Sequence, residues 1–308
     1  KENNMLPRSV VTEMGGKNAI IICKDAELDQ AISSSIYSSF GHAGQKCSAC
    51  SRILVHSSII DQFSKRFVAR ASEIPVGSPE LAETFINPLI SVDEKEKSLN
   101  NVKNMLEACR IYKENLLLDK TIQPGNSLLG PLIIQLNANS LKDSSHPVYL
   151  EMFAPLIYLI PFESDEQAVE IFNNSIYALT GGVFTQSDKT IEYFLNKLKA
   201  GNLYFNRNIT GARVAIEPFG GFYSSGTGPK AGGPDYLNAF QKKAIIPNQE
   251  VFDLNAAIPS KELLNKIIES KEKYRFTNQD FQQWCDAFSL SISKDFLKPF
   301  NNSDQLYC

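Results

Sequence analysis

The sequence predicts an α/β fold, an open and mostly parallel sheet flanked by helices. Two observations carry this: short runs rich in β-branched and aromatic residues alternate with segments of helical period, and those segments have their own start and stop signals. The run from Asn18 to Cys23 reads as a buried strand. Asp25 can then cap a helix with Glu27 and Asp29 in its first turn and Leu28, Ile32, Ile36 and Phe40 along one face, ending at Gly41. Arg52 to Val55 is the next strand. Ser91 with Glu94 forms a capping box ahead of Leu99, Val102, Leu106 and Cys109, and Ser164 with Gln167 does the same ahead of Val169 and Phe172. Leu156 to Phe162, Gly182 to Thr185 and Leu203 to Asn206 read as strands, and Ile191, Phe194, Leu195 and Leu198 mark another amphipathic helix.

The composition supports a globular protein and excludes several functions. The chain has 308 residues, 43% of them apolar, enough for a substantial core. Its 31 basic and 34 acidic residues leave a net charge of -3, so nothing draws it to a phosphate backbone or an anionic membrane. The apolar stretch Val148 to Phe162 is broken by Glu151 and two prolines and falls short of the roughly 20 residues a spanning helix needs. Lys1 to Pro7 has neither an initiator Met nor the order of a signal peptide, and Leu306-Tyr307-Cys308 carries no stop signal, so both ends predict a piece of a larger polypeptide. Six cysteines, at 23, 47, 50, 109, 285 and 308, do not make the framework of a secreted scaffold and point to a reducing compartment. The three histidines, His42, His56 and His146, lack zinc-ligand spacing, so no metal is expected.

Two shifts mark the organisation. Ten of the 17 glycines lie between Gly181 and Gly233, a candidate binding region. After Phe240 there is no glycine, and Ser260 and Thr277 introduce helical patterns through Leu263, Leu264, Ile267 and Ile268 and through Phe281, Trp284 and Phe288.

Four motifs have residue types suited to chemistry. Glu13-Met14-Gly15-Gly16-Lys17 puts a carboxylate beside flexible backbone at a strand end, the usual ligand side of α/β sheets; its plain alternative is a solvated loop. Gly44-Gln45-Lys46-Cys47-Ser48-Ala49-Cys50 puts a thiol among small residues on a short polar loop, where backbone N–H groups can stabilise an oxyanion. The same thiol also reads as a buried structural cysteine, as half of a Cys–His pair, or with Cys50 as a redox pair, although this C-x-x-C precedes a strand rather than opening a helix. Glu151, in Leu150-Glu151-Met152-Phe153-Ala154-Pro155, can accept from sugar hydroxyls or sit as a surface charge. The glycine-rich run from Asn206 to Pro234 can turn backbone N–H groups toward a carboxylate, with Phe219 as an apolar wall, or be a long ordered surface loop. Pro229 follows Gly226-Thr227-Gly228 and no strand is expected before it, so neither dinucleotide nor Walker spacing is met.

In this order and with these separations, from Val11 to Phe240, the motifs resemble the second half of the aldehyde dehydrogenase superfamily. Cys47-Ser48-Ala49-Cys50-Ser51-Arg52, Asn206-Arg207-Asn208-Ile209-Thr210-Gly211-Ala212 and Gly226 to Tyr236 are most similar to its pyrroline-5-carboxylate dehydrogenase branch. The resemblance implies NAD-dependent oxidation of L-glutamate γ-semialdehyde to L-glutamate in proline catabolism. It implies Cys47 as nucleophile, Glu13 as general base, Glu151 as ligand of the nicotinamide ribose and Phe153 as a wall of that site. Ser48, Gly211 and Ala212 would hold the substrate's α-carboxylate, with Phe219 along its aliphatic chain. Residues 1–17 would end an NAD-binding half that precedes the chain, 18–240 would be the catalytic domain, and 241–308 a C-terminal strand and helical extension. Also implied are a homo-oligomer, coupling or fusion to proline dehydrogenase, and a cytoplasmic location, or the mitochondrial matrix in a eukaryote. Two positions depart from the family pattern: Ala154 stands where glycine is usual, and Glu217 where glutamine is usual. The alternatives are a dehydrogenase for another semialdehyde and a non-catalytic module.

Overall fold

The computed structural model describes residues 10–108, 116–117, 126–138, 141, 146–213 and 216–241, with backbone alone at 104–108 and 116–117. The predicted helices after Ser260 and Thr277, and Cys109, Cys285 and Cys308, lie outside the described residues. In the described unit, β1 (Asn18–Ile22), β2 (Cys50–His56), β3 (Leu116–Leu117), β4 (Leu132–Gln135), β5 (Leu156–Phe162), β7 (Thr180–Phe184) and β8 (Asn202–Phe205) form one sheet in the order β3-β4-β5-β2-β1-β7-β8. Every neighbouring pair runs parallel except β3 with β4. A two-stranded ribbon pairs β6 (Tyr177–Ala178) with β9 (Phe222–Tyr223), so a short strand does precede Gly226. The helices are α1 (Leu28–Phe40), α2 (Ile60–Ser72), α3 (Val92–Ala108), α4 (Asp165–Asn173) and α5 (Asp188–Lys197).

All five residues of β1 are buried, as a central parallel strand covered on both faces requires. Ile20, Ile21 and Ile22 pack with Ile53, Leu54 and Val55 of β2 and with Ile157, Leu159 and Ile160 of β5 in one apolar core. Phe40 of α1 and Phe63 and Phe67 of α2 are fully buried in the same core, the last two with stacked rings, each worth about 2 kcal/mol of transfer free energy.

Two local readings are corrected. Glu27, not Asp25, caps α1, its carboxylate accepting from the N–H groups of Asp29 and Gln30. Asp25 lies two residues too early and instead accepts from Thr185 Oγ1 and the Gln186 N–H, joining the exits of β1 and β7. Ser164 caps α4 through the Gln167 N–H, but Gln167 Oε1 returns to the Glu163 N–H, one residue before the cap.

Arg52 secures the entry of the sheet. It is 1% exposed and donates to the carbonyls of Lys17, Ile171 and Phe172, the last two in the final turn of α4, where carbonyls lack helical partners and the helix dipole favours a cation. Its guanidinium lies over the rings of Tyr149 and Phe172. Among the described residues no helix is long and apolar enough to cross a membrane.

Candidate active site

Glu13, Cys47 and Glu151 belong to three loops that enter β1, β2 and β5, so the candidate site lies at the amino ends of these parallel strands. The usual α/β rule places ligands at the carboxyl ends, so the expectation that Glu13 stands on that usual ligand side is corrected: it precedes β1 and lies at the opposite end of the strands.

Local backbone explains how the cysteine loop is set. After α1 the chain makes three left-handed residues in succession, His42, Ala43 and Gly44, before Gln45. Gly44 is required twice: its φ is +68°, and a Cβ there would overlap the Ala154 carbonyl. The loop before β2 thereby touches the loop before β5. On its other side, Asn18 Nδ2 donates to the carbonyls of Cys47 (2.7 Å) and Ala49 (2.9 Å), and Asn18 Oδ1 accepts from the Thr180 N–H at 2.9 Å. The β1–β2 register shifts between Asn18 and Ala19, where this side chain leaves the ladder.

The two carboxylates are held by different means. Glu13 pairs in a backbone bridge with Gly226, and Met14 N–H donates to the Ser225 carbonyl at 3.0 Å. Thr12 and Thr227 are joined by hydroxyl and backbone hydrogen bonds. Part of the glycine run is therefore the scaffold on which Glu13 stands. Glu151 Oε1 accepts from the Gly16 N–H at 2.7 Å, and its other oxygen fills the space a Cβ at Gly15 would need. Glu151, Phe153 and Ala154 line a cleft with Gly16, Lys17 and Gly44; Phe153 is 42% exposed and walls it.

The electrostatics tie these groups together. Burial pushes the Cys47 thiol above its ordinary value, and the negative charges of Glu151 and Glu13 push the same way; hydrogen bonds from the Ser48 and Cys47 backbone oppose them. Both carboxylates therefore act on one half-buried sulfur. Partial burial raises the Glu13 carboxyl above the usual carboxylate range. Cys50 is a different kind of thiol: it is 2% exposed, faces the core, donates to the Arg52 carbonyl and is pushed up to about 12, chiefly by burial. Cys47 and Cys50 are both free thiols. His56 ends β2 at the far edge of the sheet, with Nδ1 against Ser58 Oγ, and cannot serve as the base of a Cys–His pair.

The residues expected to meet a substrate carboxylate lie on a segment that packs along α1. Gln30, early in α1, donates to the Asn206 carbonyl, and Ser38, near its end, accepts from the Ile209 N–H. The segment after β8 thus runs along α1 from Gln30 to Ser38. Gly211 has φ +82° and faces open space. Ser48 is 6% exposed, and its carbonyl accepts from Thr180 Oγ1. Phe219 is half-buried, bridges to Ala231, and precedes Gly220, where a Cβ would lie 3.4 Å from Glu13 Oε1.

Sequence reasoning passed over Lys17. It is 3% exposed, lines the cleft, and its ammonium has no hydrogen-bond partner among the described residues; it lies over the Tyr158 ring. Burial, then Arg52, lowers its pKa to about 7, with Glu151 opposing. The available signal was a lysine placed between two glycines and a continuous apolar strand, where its stem has nowhere to go but inward.

The fold and this edge define a class. The aldehyde dehydrogenase family model matches residues 2–245, and the chain belongs to that family. Within it, the chain is 39% identical over 230 residues to 1-pyrroline-5-carboxylate dehydrogenase of Bacillus subtilis (strain 168), covering 75% of this chain and 43% of the relative. It is 36% identical over 246 residues to the enzyme of that name from Staphylococcus haemolyticus (strain JCSC1435), covering 80% and 46%. The chain therefore spans somewhat under half the length of these curated relatives. Among solved structures it is similar to proline utilization A from Bdellovibrio bacteriovorus, with TM-score 0.67, 38% identity and coverage of 74% of this chain and 23% of that one. It is also similar to a Thermus 1-pyrroline-5-carboxylate dehydrogenase with bound NAD, with TM-score 0.67, 31% identity and coverage of 75% and 43%.

Proposed function

We propose that the chain is the catalytic portion of an NAD-dependent dehydrogenase that oxidises L-glutamate γ-semialdehyde to L-glutamate in proline catabolism. The observation that carries the reading is that three separate loops, entering the parallel strands β1, β2 and β5 at the same end of the sheet, hold Glu13, the half-buried thiol Cys47 and Glu151. The similarity to 1-pyrroline-5-carboxylate dehydrogenases supports the substrate, and similarity to a structure with bound NAD supports the cofactor.

In this reading Cys47, as thiolate, adds to the aldehyde carbon and forms a thiohemiacetal, whose oxyanion is stabilised by backbone N–H donors of its own loop. Its raised proton affinity keeps the thiol protonated near neutral pH, so a base must take the proton as the adduct forms, and Glu13, a carboxylate of raised affinity, is suited to that. The residues around Glu151 fit the ribose end of NAD: the carboxylate is fixed by the Gly16 N–H, Gly15 leaves room for it, and Phe153 walls the cleft. Bound there, NAD would accept the hydride that the thiohemiacetal carbon releases, which leaves a thioester on Cys47. Glu13 then removes a proton from water, which attacks the Cys47 thioester and releases the acid. Gly211, Ala212 and Ser48 hold the α-carboxylate, and Phe219 packs on the methylenes.

Coupling to proline dehydrogenase accords with the likeness to proline utilization A, and a homo-oligomer in the cytoplasm completes the reading. In the full-length protein, Cys47→Ala abolishes aldehyde-dependent NADH formation, and the wild type prefers glutamate γ-semialdehyde to succinate semialdehyde and propanal. Full turnover by Cys47→Ala, or equal use of all three aldehydes, contradicts the reading.

A further inference from the structure

Glu217 is 4% exposed, yet it sits among donors. Its Oε1 accepts from Arg207 Nη1 (2.8 Å), Arg213 Nη2 (2.9 Å) and Arg213 Nε (3.1 Å), and Oε2 accepts from the Arg213 N–H at 3.0 Å. Its own N–H donates to the Arg213 carbonyl at 2.9 Å. Arg207 also lies over the Tyr204 ring of β8, at 4.9 Å from its centroid. The two ends of segment 207–213 are thus pinned to one buried carboxylate, and Gly211 and Ala212 lie between the pins.

Four N–H groups converge on this side chain. A carboxylate has the acceptor capacity for all of them, whereas a glutamine amide in its place would offer one oxygen and turn an NH₂ toward guanidinium donors. Burial alone would raise the carboxyl, but the hydrogen bonds from Arg207 and Arg213 outweigh it and hold the group at about 2, so the clamp is ionised at every physiological pH. Among the described residues two guanidiniums share this one carboxylate, and Arg213, with 64% of its side chain exposed, adjoins Ala212.

We propose that Glu217 is a positioning residue for substrate selectivity: it closes segment 207–213 on Arg207 and Arg213, so that the backbone of Gly211 and Ala212 is preset for a carboxylate-bearing aldehyde. Presetting removes the ordering cost that the substrate would otherwise meet on binding. The inference rests on the reading that Gly211 and Ala212 receive the substrate carboxylate.

The test uses Glu217→Gln and Glu217→Ala in the full-length protein, with two readouts. Amide hydrogen exchange is followed across 207–213, and kcat/KM is measured for glutamate γ-semialdehyde relative to propanal, which has no carboxylate. Exchange in this segment is expected to accelerate while the core strands keep their protection, and the kcat/KM ratio is expected to fall on the order of tenfold, mainly through KM for the carboxylate substrate. Glu217→Gln should lose less than Glu217→Ala, since one oxygen can still accept. Unchanged exchange in 207–213 overturns the clamp; faster exchange with an unaltered ratio overturns its role in selectivity. If the wild type shows no preference for the carboxylate substrate, the functional reading fails, and the exchange measurement still decides whether Glu217 pins the segment.

Discussion

Asn18 holds Cys47 in place: its side-chain amide donates to the Cys47 carbonyl at 2.7 Å, while its oxygen accepts from the Thr180 N–H at the start of β7. One 2% exposed side chain on β1 therefore joins the Cys47 loop to the neighbouring strand. Replacing it by alanine leaves the carbonyls of Cys47 and Ala49 and the Thr180 N–H without this partner. Asn18→Ala is expected to cost about 2 kcal/mol of stability and at least tenfold in kcat, because a sulfur displaced by a fraction of an ångström loses its line of attack. Thermal unfolding and steady-state NADH formation measure both; a native Tm with native kcat counts against a positioning role for Asn18.

The charges facing Cys47 make a prediction of definite sign. Burial and the carboxylates of Glu151 and Glu13 all raise the thiol, so alkylation by neutral iodoacetamide should climb through a midpoint above the ordinary thiol value of about 8.5. Glu13→Gln removes one of the charges and should move the midpoint down, which makes alkylation at pH 8 faster while aldehyde turnover becomes slower. A midpoint unmoved by Glu13→Gln means that this carboxylate does not face the sulfur.

Lys17 is expected to make stability depend on pH. Its amine titrates at about 7 in the folded protein and at about 10.4 in the unfolded chain. Between these values the unfolded chain binds the extra proton, so stability rises with pH across the window. Below about pH 7 the penalty for burying the charge is fully present; above about 10.4 it is gone. Lys17→Met should therefore stabilise the protein most at or below pH 7, with the gain fading toward pH 10. Denaturant unfolding from pH 6 to 10 tests this, and a gain that does not vary with pH sinks it.

Much of the sheet was legible because a central parallel strand must be continuously apolar: Asn18 to Cys23 and Leu156 to Phe162 could be read almost to the residue. The helix α2 was missed although Ile60, Phe63, Phe67 and Ala71 recur on one face, because Ile59 at its start offers no side-chain cap to announce it. The four residues of β4 are too short a run to separate from a loop by period alone. At the site, residue types were legible and partnerships were not. No local pattern shows that Gly226 pairs with Glu13 or that Asn18 grips Cys47, since each contact joins segments whose approach depends on the whole sheet; Arg213 and Glu217 are only four residues apart, but a non-helical loop gives no period from which to read their pairing.

The central claim is that Cys47 and Glu13 serve one carbonyl in succession, the first forming the ester and the second breaking it. The most direct measurement is mass spectrometry of full-length Glu13→Gln, quenched soon after mixing with glutamate γ-semialdehyde and NAD. The account predicts a covalent acyl adduct that accumulates on the peptide containing Cys47 and is absent from Cys47→Ala. Rapid turnover by Glu13→Gln with Cys47 left unmodified would contradict it.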